Sequence, residues 1–298
     1  MKEYLPVEEI SESQAKFYSK WVAEHKDLAS EEKDTNKIFD EVFGKDIVAI
    51  AGLRLLPAIG FERHPSFEHV AQNLKENLVK LRETGIDGVV LESYMDRPHR
   101  IFYDDKNLLD YYFNLALIAK KESEGKFRVG INLILFDIYG ALTIAKSASL
   151  DFVAVDEFVD PIECSKEEAN FDHSFIFKPN PALVKDFQRN IDAKNIIILA
   201  GSNSNYYPLV NPTNFEASAQ KANLNSAAAV VLGKDNAHLH GSNNKFNIPI
   251  LVSGGIKCED IEWIKKDNFR GFLAGSMFEE KLGVIDAKKV IDVLKVLK

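Results

Sequence analysis

Eight short apolar segments between residues 47 and 274 constrain the fold more than any other feature of the chain. Each is rich in Val, Ile and Leu and is apolar at nearly every position, which is typical of parallel strands buried on both faces. The predicted strands cover residues 47–53, 88–91, 128–136, 152–155, 195–200, 228–232, 249–252 and 271–274. They need one large sheet with a covering layer on each side.

Helical patterns separate most of the predicted strands. Residues 67–84 place Val70, Leu74, Leu78 and Leu81 on one helix face, and Gly85 ends the pattern. Similar patterns cover residues 108–124, 139–149, 259–266 and 287–298. The alternation indicates a parallel sheet, and eight repeats indicate closure into a single (β/α)8 TIM barrel. An open doubly wound sheet is the alternative, but no GxGxxG follows the first strand.

Residues 1–46 predict a helical extension ahead of a barrel at residues 47–298. Two apolar stripes at helical spacing carry this prediction, formed by Phe17, Trp21 and Val22 and by Ile38, Phe39, Val42 and Phe43. Such stripes pack on the main body or on a second subunit. A homo-oligomer formed through the N-terminal helices is therefore one expectation.

The net charge of the chain limits the classes of partner that it can bind. Its 45 acidic and 37 basic residues give a formal net charge of −8, which argues against nucleic acid or an anionic membrane surface as the main partner. No apolar run approaches the ~20 residues that span a bilayer, and the first residues do not resemble a secretory signal. Cys164 and Cys258 form neither a disulfide framework nor a CxxC motif. We expect a cytoplasmic protein without membrane insertion.

Polar side chains follow several predicted strands, where a barrel of this type carries its active site. Glu92 and Asp137 are candidates for acid–base catalysis, because a partly apolar mouth raises the pKa of a carboxyl group. Alternatively, each is a solvated carboxylate paired with a nearby arginine. Asn132 and Asp96 complete the predicted catalytic set. Arg54, Asp156 and Lys234 are predicted to line the pocket as well.

The last two predicted strands are each followed by small residues. Gly254 and Gly255 follow the seventh strand, and Gly275 and Ser276 follow the eighth. Many barrels bind a phosphate between these two loops, because glycine lets it approach the backbone N–H groups closely. The alternative is that these glycines only form tight turns. We expect a small phosphorylated metabolite as the ligand.

Two long connections, residues 156–188 and 233–247, follow the fourth and sixth strands, and a further strand is predicted at 174–177. In the second connection, Asp235, His238 and His240 form a candidate metal site, against the simpler interpretation of a polar loop. Lys234 would form a Schiff base only if desolvated. No cofactor is predicted, and a requirement for a divalent metal stays open.

Several segments resemble the BtpA family. Residues 130–137, the Ala-rich helix at 141–145 and residues 151–153 are similar to its central segment. Residues 88–93, followed by Asp96 and Pro98, are similar to its second strand and loop, and residues 249–255 and 271–283 to its last two strands. The resemblance implies a ribulose-phosphate-binding barrel from about residue 46 onward. Tryptophan synthase alpha chains share the glutamate after strand two and the closing glycine loops.

The resemblance has departures at polar positions. Gly52 stands where the family tends to have a histidine, Leu135 and Phe136 replace a polar pair, and Ala154 and Asp156 replace Arg and Asn. Four residues carry over by position: Glu92, Asp96, Asn132 and Asp137. The family implies no settled reaction; its members have been linked to membrane-complex biogenesis and to sugar-phosphate or nucleoside-related roles.

Two functions are compatible with the sequence. The first is an enzyme that acts on a small phosphorylated metabolite, most simply a sugar phosphate, by lyase or isomerase chemistry, which needs only proton transfer on an oriented substrate. The second is a non-catalytic barrel that serves as a binding or assembly factor. The missing polar residues favour the second function, as does an extension whose Phe17 and Trp21 we expect to be exposed.

Overall fold

The computed structural model describes residues 5–8, 11–25, 38–134, 136–165, 174–203, 205–211, 214–240 and 246–297. Its strands are β1 (Leu5–Glu8), β2 (Val48–Arg54), β3 (Gly88–Glu92), β4 (Arg128–Asn132), β5 (Phe152–Val155), β6 (Ile162–Cys164), β7 (Phe175–Lys178), β8 (Ile197–Ser202), β9 (Ala227–Gly233), β10 (Ile250–Ser253), β11 (Gly271–Ala274), β12 (Glu279–Lys281) and β13 (Val284–Ile285). Eight of them, β2 to β5 and β8 to β11, form a closed parallel barrel in which β11 pairs with β2. The predicted TIM barrel is confirmed, and closure excludes the open sheet.

Helices surround the barrel. They are α1 (Glu12–Glu24), α2 (Phe39–Phe43), α3 (Phe67–Arg82), α4 (Lys106–Ser123), α5 (Ile138–Ser147), α6 (Pro181–Asn190), α7 (Phe215–Leu224), α8 (Lys234–His240), α9 (Ile261–Lys266) and α10 (Ala287–Leu297). The sequence patterns predicted α3, α4, α5, α9 and α10, and the two stripes of the predicted N-terminal extension lie on α1 and α2. Helices α6, α7 and α8 were not among the predicted elements.

Helix α2 closes the amino-terminal end of the barrel. Its Phe39, Val42 and Phe43 are buried in one cluster with apolar residues of the barrel strands, among them Val48 and Ile50. A TIM barrel is filled by such side chains and has no open channel. Within the described part of the chain, the barrel axis is therefore closed to a ligand at the amino ends of the strands and accessible from their carboxyl ends.

Helix α1 packs on the outside of the same chain. Tyr18 and Trp21 are buried, and the indole N–H of Trp21 donates a hydrogen bond to Asp110 of α4 at 2.8 Å. Phe17 is partly buried against the same core. The aromatic stripe therefore packs on the barrel, and these residues do not form the exposed surface that the assembly hypothesis requires.

A small sheet of order β1-β7-β6 lies beside the barrel. Strand β7 confirms the additional strand predicted at 174–177. The third predicted strand, residues 128–136, was too long, since β4 ends at Asn132 and Ile134 and Phe136 pack on this sheet instead. The ring of Phe136 stacks on that of Phe177 with centroids 4.3 Å apart. Leu135, named among the family departures, lies outside the described residues.

Candidate functional site

A cavity of about 280 Å³ opens at the carboxyl ends of the barrel strands. Eight of the predicted site residues line it: Arg54, Glu92, Asn132, Asp156, Gly254, Gly255, Gly275 and Ser276. A larger, open depression of about 770 Å³ lies at the opposite end, where Lys45 and Arg270 are already paired with Asp87 and Asp40. The cavity at the carboxyl ends is the candidate site because its charged groups converge on enclosed space.

Strand register aligns three of the lining residues. Arg54 of β2 pairs with Glu92 of β3, which in turn pairs with Asn132 of β4. Residues at the same level of neighbouring parallel strands place their side chains on the same face of the sheet. The three side chains therefore point into the cavity side by side, each at the last position of its strand.

Glu92 has the properties of a proton donor. Burial raises the pKa of its carboxyl group to about 8; the Arg54 guanidinium opposes the rise, and the Asp156 and Glu279 carboxylates add to it. No hydrogen bond from the described part of the chain reaches the Glu92 carboxyl group. A carboxyl group with this pKa is mostly protonated at neutral pH and can donate its proton to a bound ligand.

Gly52 makes room for this carboxyl group. A Cβ atom at position 52 would lie 2.7 Å from Oε1 of Glu92. Glycine replaces the histidine expected at this position for a steric reason, because any side chain here would displace the Glu92 carboxyl group.

We expect Gly52→Ala to move the Glu92 carboxyl group toward cavity water. Its pKa then falls from about 8 toward the ordinary range, as a ¹³C NMR titration of the glutamate carboxyls would show. Because a carboxyl end can shift, we expect a stability loss below about 1 kcal/mol. Gly130→Ala is the contrasting variant, since its Cβ would lie 2.3 Å from the buried Phe152 ring and should cost much more. An unchanged Glu92 titration in Gly52→Ala would contradict this account.

Arg54 lies against the glycine loop that follows β11. Its guanidinium donates to Glu279 at 3.2 Å and lies over the Tyr94 ring, 4.5 Å from the centroid. A Cβ atom on Gly275 would lie 3.3 Å from Nε of Arg54. Glycine at this position therefore keeps the space beside the guanidinium open to a ligand.

The loop after β10 reaches the same cavity. Gly254 and Gly255 both have left-handed φ angles, +81° and +68°. Glycine adopts this conformation without steric cost, so it brings the backbone close to the cavity here.

Asp156 and Asn132 form a polar pair on another side of the cavity. The Asn132 amide donates to Asp156 at 2.8 Å, and Tyr207 also bonds to this carboxylate. Burial raises the pKa of Asp156 to about 6, while both hydrogen bonds oppose the rise. Oδ1 of Asn132 is buried and has no hydrogen-bond partner among the described residues, which leaves an acceptor for a ligand or a water molecule.

Asp137 lies outside the cavity and is held by three donors. The Tyr18 hydroxyl at 2.7 Å and the Tyr103 N–H at 2.6 Å donate to Oδ2, and the Gly140 N–H donates to Oδ1 at 2.8 Å. The carboxylate thus caps α5 and ties α1 to the loop after β3. Burial raises its pKa to about 6, and the three donors oppose the rise. The geometry gives Asp137 a structural role.

Asp96 likewise lies outside the cavity. It accepts hydrogen bonds from the Ala58 N–H at 2.8 Å and from the hydroxyl groups of Tyr112 and Tyr103. Burial raises its pKa to about 6 against these bonds. The carboxylate holds the loops after β2 and β3 together, and the loop after β3 contributes side chains to the cavity lining.

Lys234 is also absent from the cavity lining. Its ammonium group pairs with the buried Asp260 at 2.7 Å, which leaves it unsuited to forming a Schiff base. Within the described ranges, no group of three or more His, Cys, Asp or Glu side chains could hold a metal ion. The side chains of His238 and His240, from the candidate metal site, lie outside the described residues.

Five cavity residues with aromatic or basic side chains were not in the predicted set: Tyr94, Arg97, His99, Tyr206 and Tyr207. Three of them lie in the loop after β3 and two in the loop after β8. Burial, together with the Arg97 charge, lowers the pKa of His99 to about 4, so this imidazole is neutral at physiological pH. A position shortly after a strand end indicates proximity to the mouth, but the fold of the loop decides which side chains turn inward.

A model of the BtpA family matches residues 44–298, which is most of the chain and the whole barrel. The chain belongs to the BtpA family. An uncharacterised protein of Archaeoglobus fulgidus is 22% identical over 258 residues, covering 84% of this chain and 98% of the relative. The uncharacterised protein MJ1115 of Methanocaldococcus jannaschii is 27% identical over 113 residues, covering 38% of this chain and 41% of the relative.

Solved structures share the barrel fold with this BtpA-family chain. N-acetylneuraminate lyase from Mycoplasma synoviae has a TM-score of 0.52 at 10% identity, covering 86% of this chain and 73% of the lyase. Thiamine phosphate pyrophosphorylase from Pyrococcus furiosus has a TM-score of 0.48 at 12% identity, covering 85% and 96%. At these identities the likeness is one of fold. Across the described residues, no helix is long and apolar enough to cross a bilayer.

Proposed function

We propose that this BtpA-family protein is an enzyme that binds a small phosphorylated metabolite in the cavity and transfers protons on it. The observation that carries the proposal is the position of Glu92. A carboxyl group with a pKa of about 8 lies in the same cavity as Arg54 and the two glycine loops. A perturbed acid beside an enclosed polar cavity is the usual mark of a catalytic centre.

The phosphate group binds between the loops that follow β10 and β11. Gly254, Gly255 and Gly275 leave space for it near the backbone, and Ser276 offers a hydroxyl group. Arg54 supplies a positive charge beside Gly275, and its pairing with Glu279 holds the guanidinium in place. This is also where barrels of this type commonly bind phosphate.

Proton transfer on the substrate uses two carboxyl groups. Asp156 takes a proton from a carbon next to a carbonyl group, the electron pair forms a C=C bond, and the carbonyl oxygen receives the Glu92 proton. The two groups suit these roles because the pKa of Asp156, about 6, lies below that of Glu92, about 8. The product is an enol, or an enediol where that carbon carries a hydroxyl group; reprotonation at a carbon completes an isomerisation, and loss of a leaving group from the next carbon completes an elimination.

The phosphate site is tested by thermal unfolding with inorganic phosphate, pyrophosphate and a series of sugar phosphates. A ligand at ~100 times its dissociation constant adds ~2.7 kcal/mol to the free energy of unfolding, which raises the Tm by roughly 4 °C. We expect Gly275→Asp to abolish this rise, because the new carboxylate would lie beside Arg54 and occupy the phosphate position.

Gln220→Glu is the matched control for Gly275→Asp, because it adds one negative charge on the exposed face of α7. It should retain the full ligand-induced rise in Tm. The proposal is overturned if none of the phosphorylated compounds stabilises the wild type, or if Gly275→Asp is stabilised as strongly as the control.

A further inference from the structure

Arg97 places a second guanidinium in the cavity, and the site described so far gives it no partner. Its side chain is half-buried. Arg54 pairs with Glu279, whereas Arg97 makes no salt bridge or hydrogen bond with any residue that the structure describes. A partly desolvated cation without a counterion is unfavourable, so such a group is suited to an anion that arrives with the ligand.

The two guanidinium groups lie over one aromatic ring. The centroid of Tyr94 is 4.5 Å from Cζ of Arg54 and 5.0 Å from Cζ of Arg97. Contact with the ring orients both cations, because the face of an aromatic ring attracts positive charge.

The surroundings of the two cations differ. Arg54 lies against Gly275, and its charge opposes the rise in the pKa of Glu92. The Arg97 charge instead lowers the pKa of His99 and opposes the rise in the pKa of Tyr207. The Tyr207 hydroxyl bonds to Asp156. The cavity therefore has one cation beside the phosphate loops and a second on the side of His99 and Tyr207.

We propose that the ligand is a phosphate ester with a second anionic group, a carboxylate or another phosphate, and that Arg97 binds this second group. The inference rests on the proposed function, because Arg54 and the glycine loops must hold the first phosphate. A guanidinium binds either anion through two parallel hydrogen bonds. Arg97 is then the residue that selects doubly anionic substrates over simple monophosphates.

Two matched pairs of compounds test this selection by calorimetry. Glucitol 6-phosphate and 6-phosphogluconate are both open-chain and differ by a carboxylate in place of a hydroxymethyl group, and fructose 6-phosphate and fructose 1,6-bisphosphate differ by a phosphate. We expect the wild type to bind the doubly anionic member of one pair about 10- to 100-fold more tightly, as a charged hydrogen bond predicts. The pair that shows the difference identifies the second group.

The variant Arg97→Gln should remove this preference and leave the affinity for the singly anionic member within about twofold. Arg100→Gln is the control, because the Arg100 guanidinium lies over Phe61, outside the cavity lining, and is exposed. It should keep the preference of the wild type.

Failure of the inference differs from failure of the proposed function. If monophosphates bind but neither second anion improves affinity, or if Arg97→Gln weakens both members of a pair equally, Arg97 does not read a second anion and the phosphate site stands. If no phosphate ester binds to the wild type, both proposals fall together.

Discussion

Replacing Glu92 with Gln is expected to stabilise the protein at pH 8 while removing proton transfer. The carboxyl group has a pKa of about 8 when folded, against the ordinary 4.5, so the folded state holds its proton more tightly than the unfolded state. The stability that this proton confers is complete below pH 4.5 and is lost progressively as the pH rises to about 8. Gln is neutral throughout and escapes this loss.

The gain from Glu92→Gln should be about 2 to 4 kcal/mol at pH 8 and should vanish near pH 4.5. No described donor reaches the Glu92 carboxyl group, so the amide forfeits no hydrogen bond. Activity on an identified substrate should fall about 10²- to 10⁴-fold, the usual contribution of a general acid. Such a trade of stability against function is typical of active-site residues.

The measurement is the Tm of wild type and Glu92→Gln between pH 4.5 and 9. Glu262→Gln is the control, since this glutamate is exposed on α9 and its variant should follow the wild type. A Glu92→Gln protein that is less stable than the wild type at pH 8, or one that retains full activity, would sink the assignment.

Other buried carboxyl groups should give the wild type itself a similar pH dependence. Burial raises the pKa of Glu157 to about 8 and those of Asp96, Asp137 and Asp156 to about 6. The folded state therefore binds more protons than the unfolded state between about pH 4 and pH 8. His99, whose pKa is lowered by burial, opposes this trend only between about pH 4 and 6.5. The stability of the wild type should thus decline from mildly acidic toward alkaline pH.

The barrel was predictable because its strands are buried on both faces, which makes their sequences nearly continuous apolar runs. The same rule misplaced the end of β4. Phe136 is as apolar as a strand residue, but it packs on Phe177 of the small sheet beside the barrel. A run of apolar residues predicts that the segment is buried, but it does not predict which part of the fold buries it.

How well each site residue could be predicted depends on its distance in sequence from the end of its strand. Arg54, Glu92 and Asn132 are the last residues of their strands, so the barrel geometry alone directs them into the cavity. Asp96 and Asp137 come four and five residues further on, where hydrogen-bond donors in the loops decide their orientation. The bond from the Gly140 N–H to Asp137 is a local helix N-cap. Tyr18 and Tyr103, however, donate to Asp137 from distant parts of the chain, and no local pattern reveals these two donors.

Replacing Trp21 with Ala should reduce the free energy of unfolding by about 3 to 5 kcal/mol, the usual cost of deleting a large buried aromatic side chain. Trp21 is only 2% exposed, packs edge-on against Phe113 at 5.3 Å and donates to Asp110. Loss of the indole leaves a cavity between α1 and α4 and an unpaired acceptor. Urea unfolding measures the loss, and Lys20→Ala, exposed on the same helix, is the control.

The oligomeric state of Trp21→Ala distinguishes the two interpretations of the extension. If α1 is part of the barrel's own packing, sedimentation should show wild type and variant in the same state while the unfolding midpoint falls. A variant that keeps its unfolding midpoint but dissociates would place the indole in an interface between copies and revive the assembly hypothesis. The first outcome follows from the contacts, because Tyr18 on the same helix bonds to Asp137, which caps α5 of the barrel. Helix α1 is therefore tied to the elements that carry the loops around the cavity, and loosening it should also weaken ligand binding there.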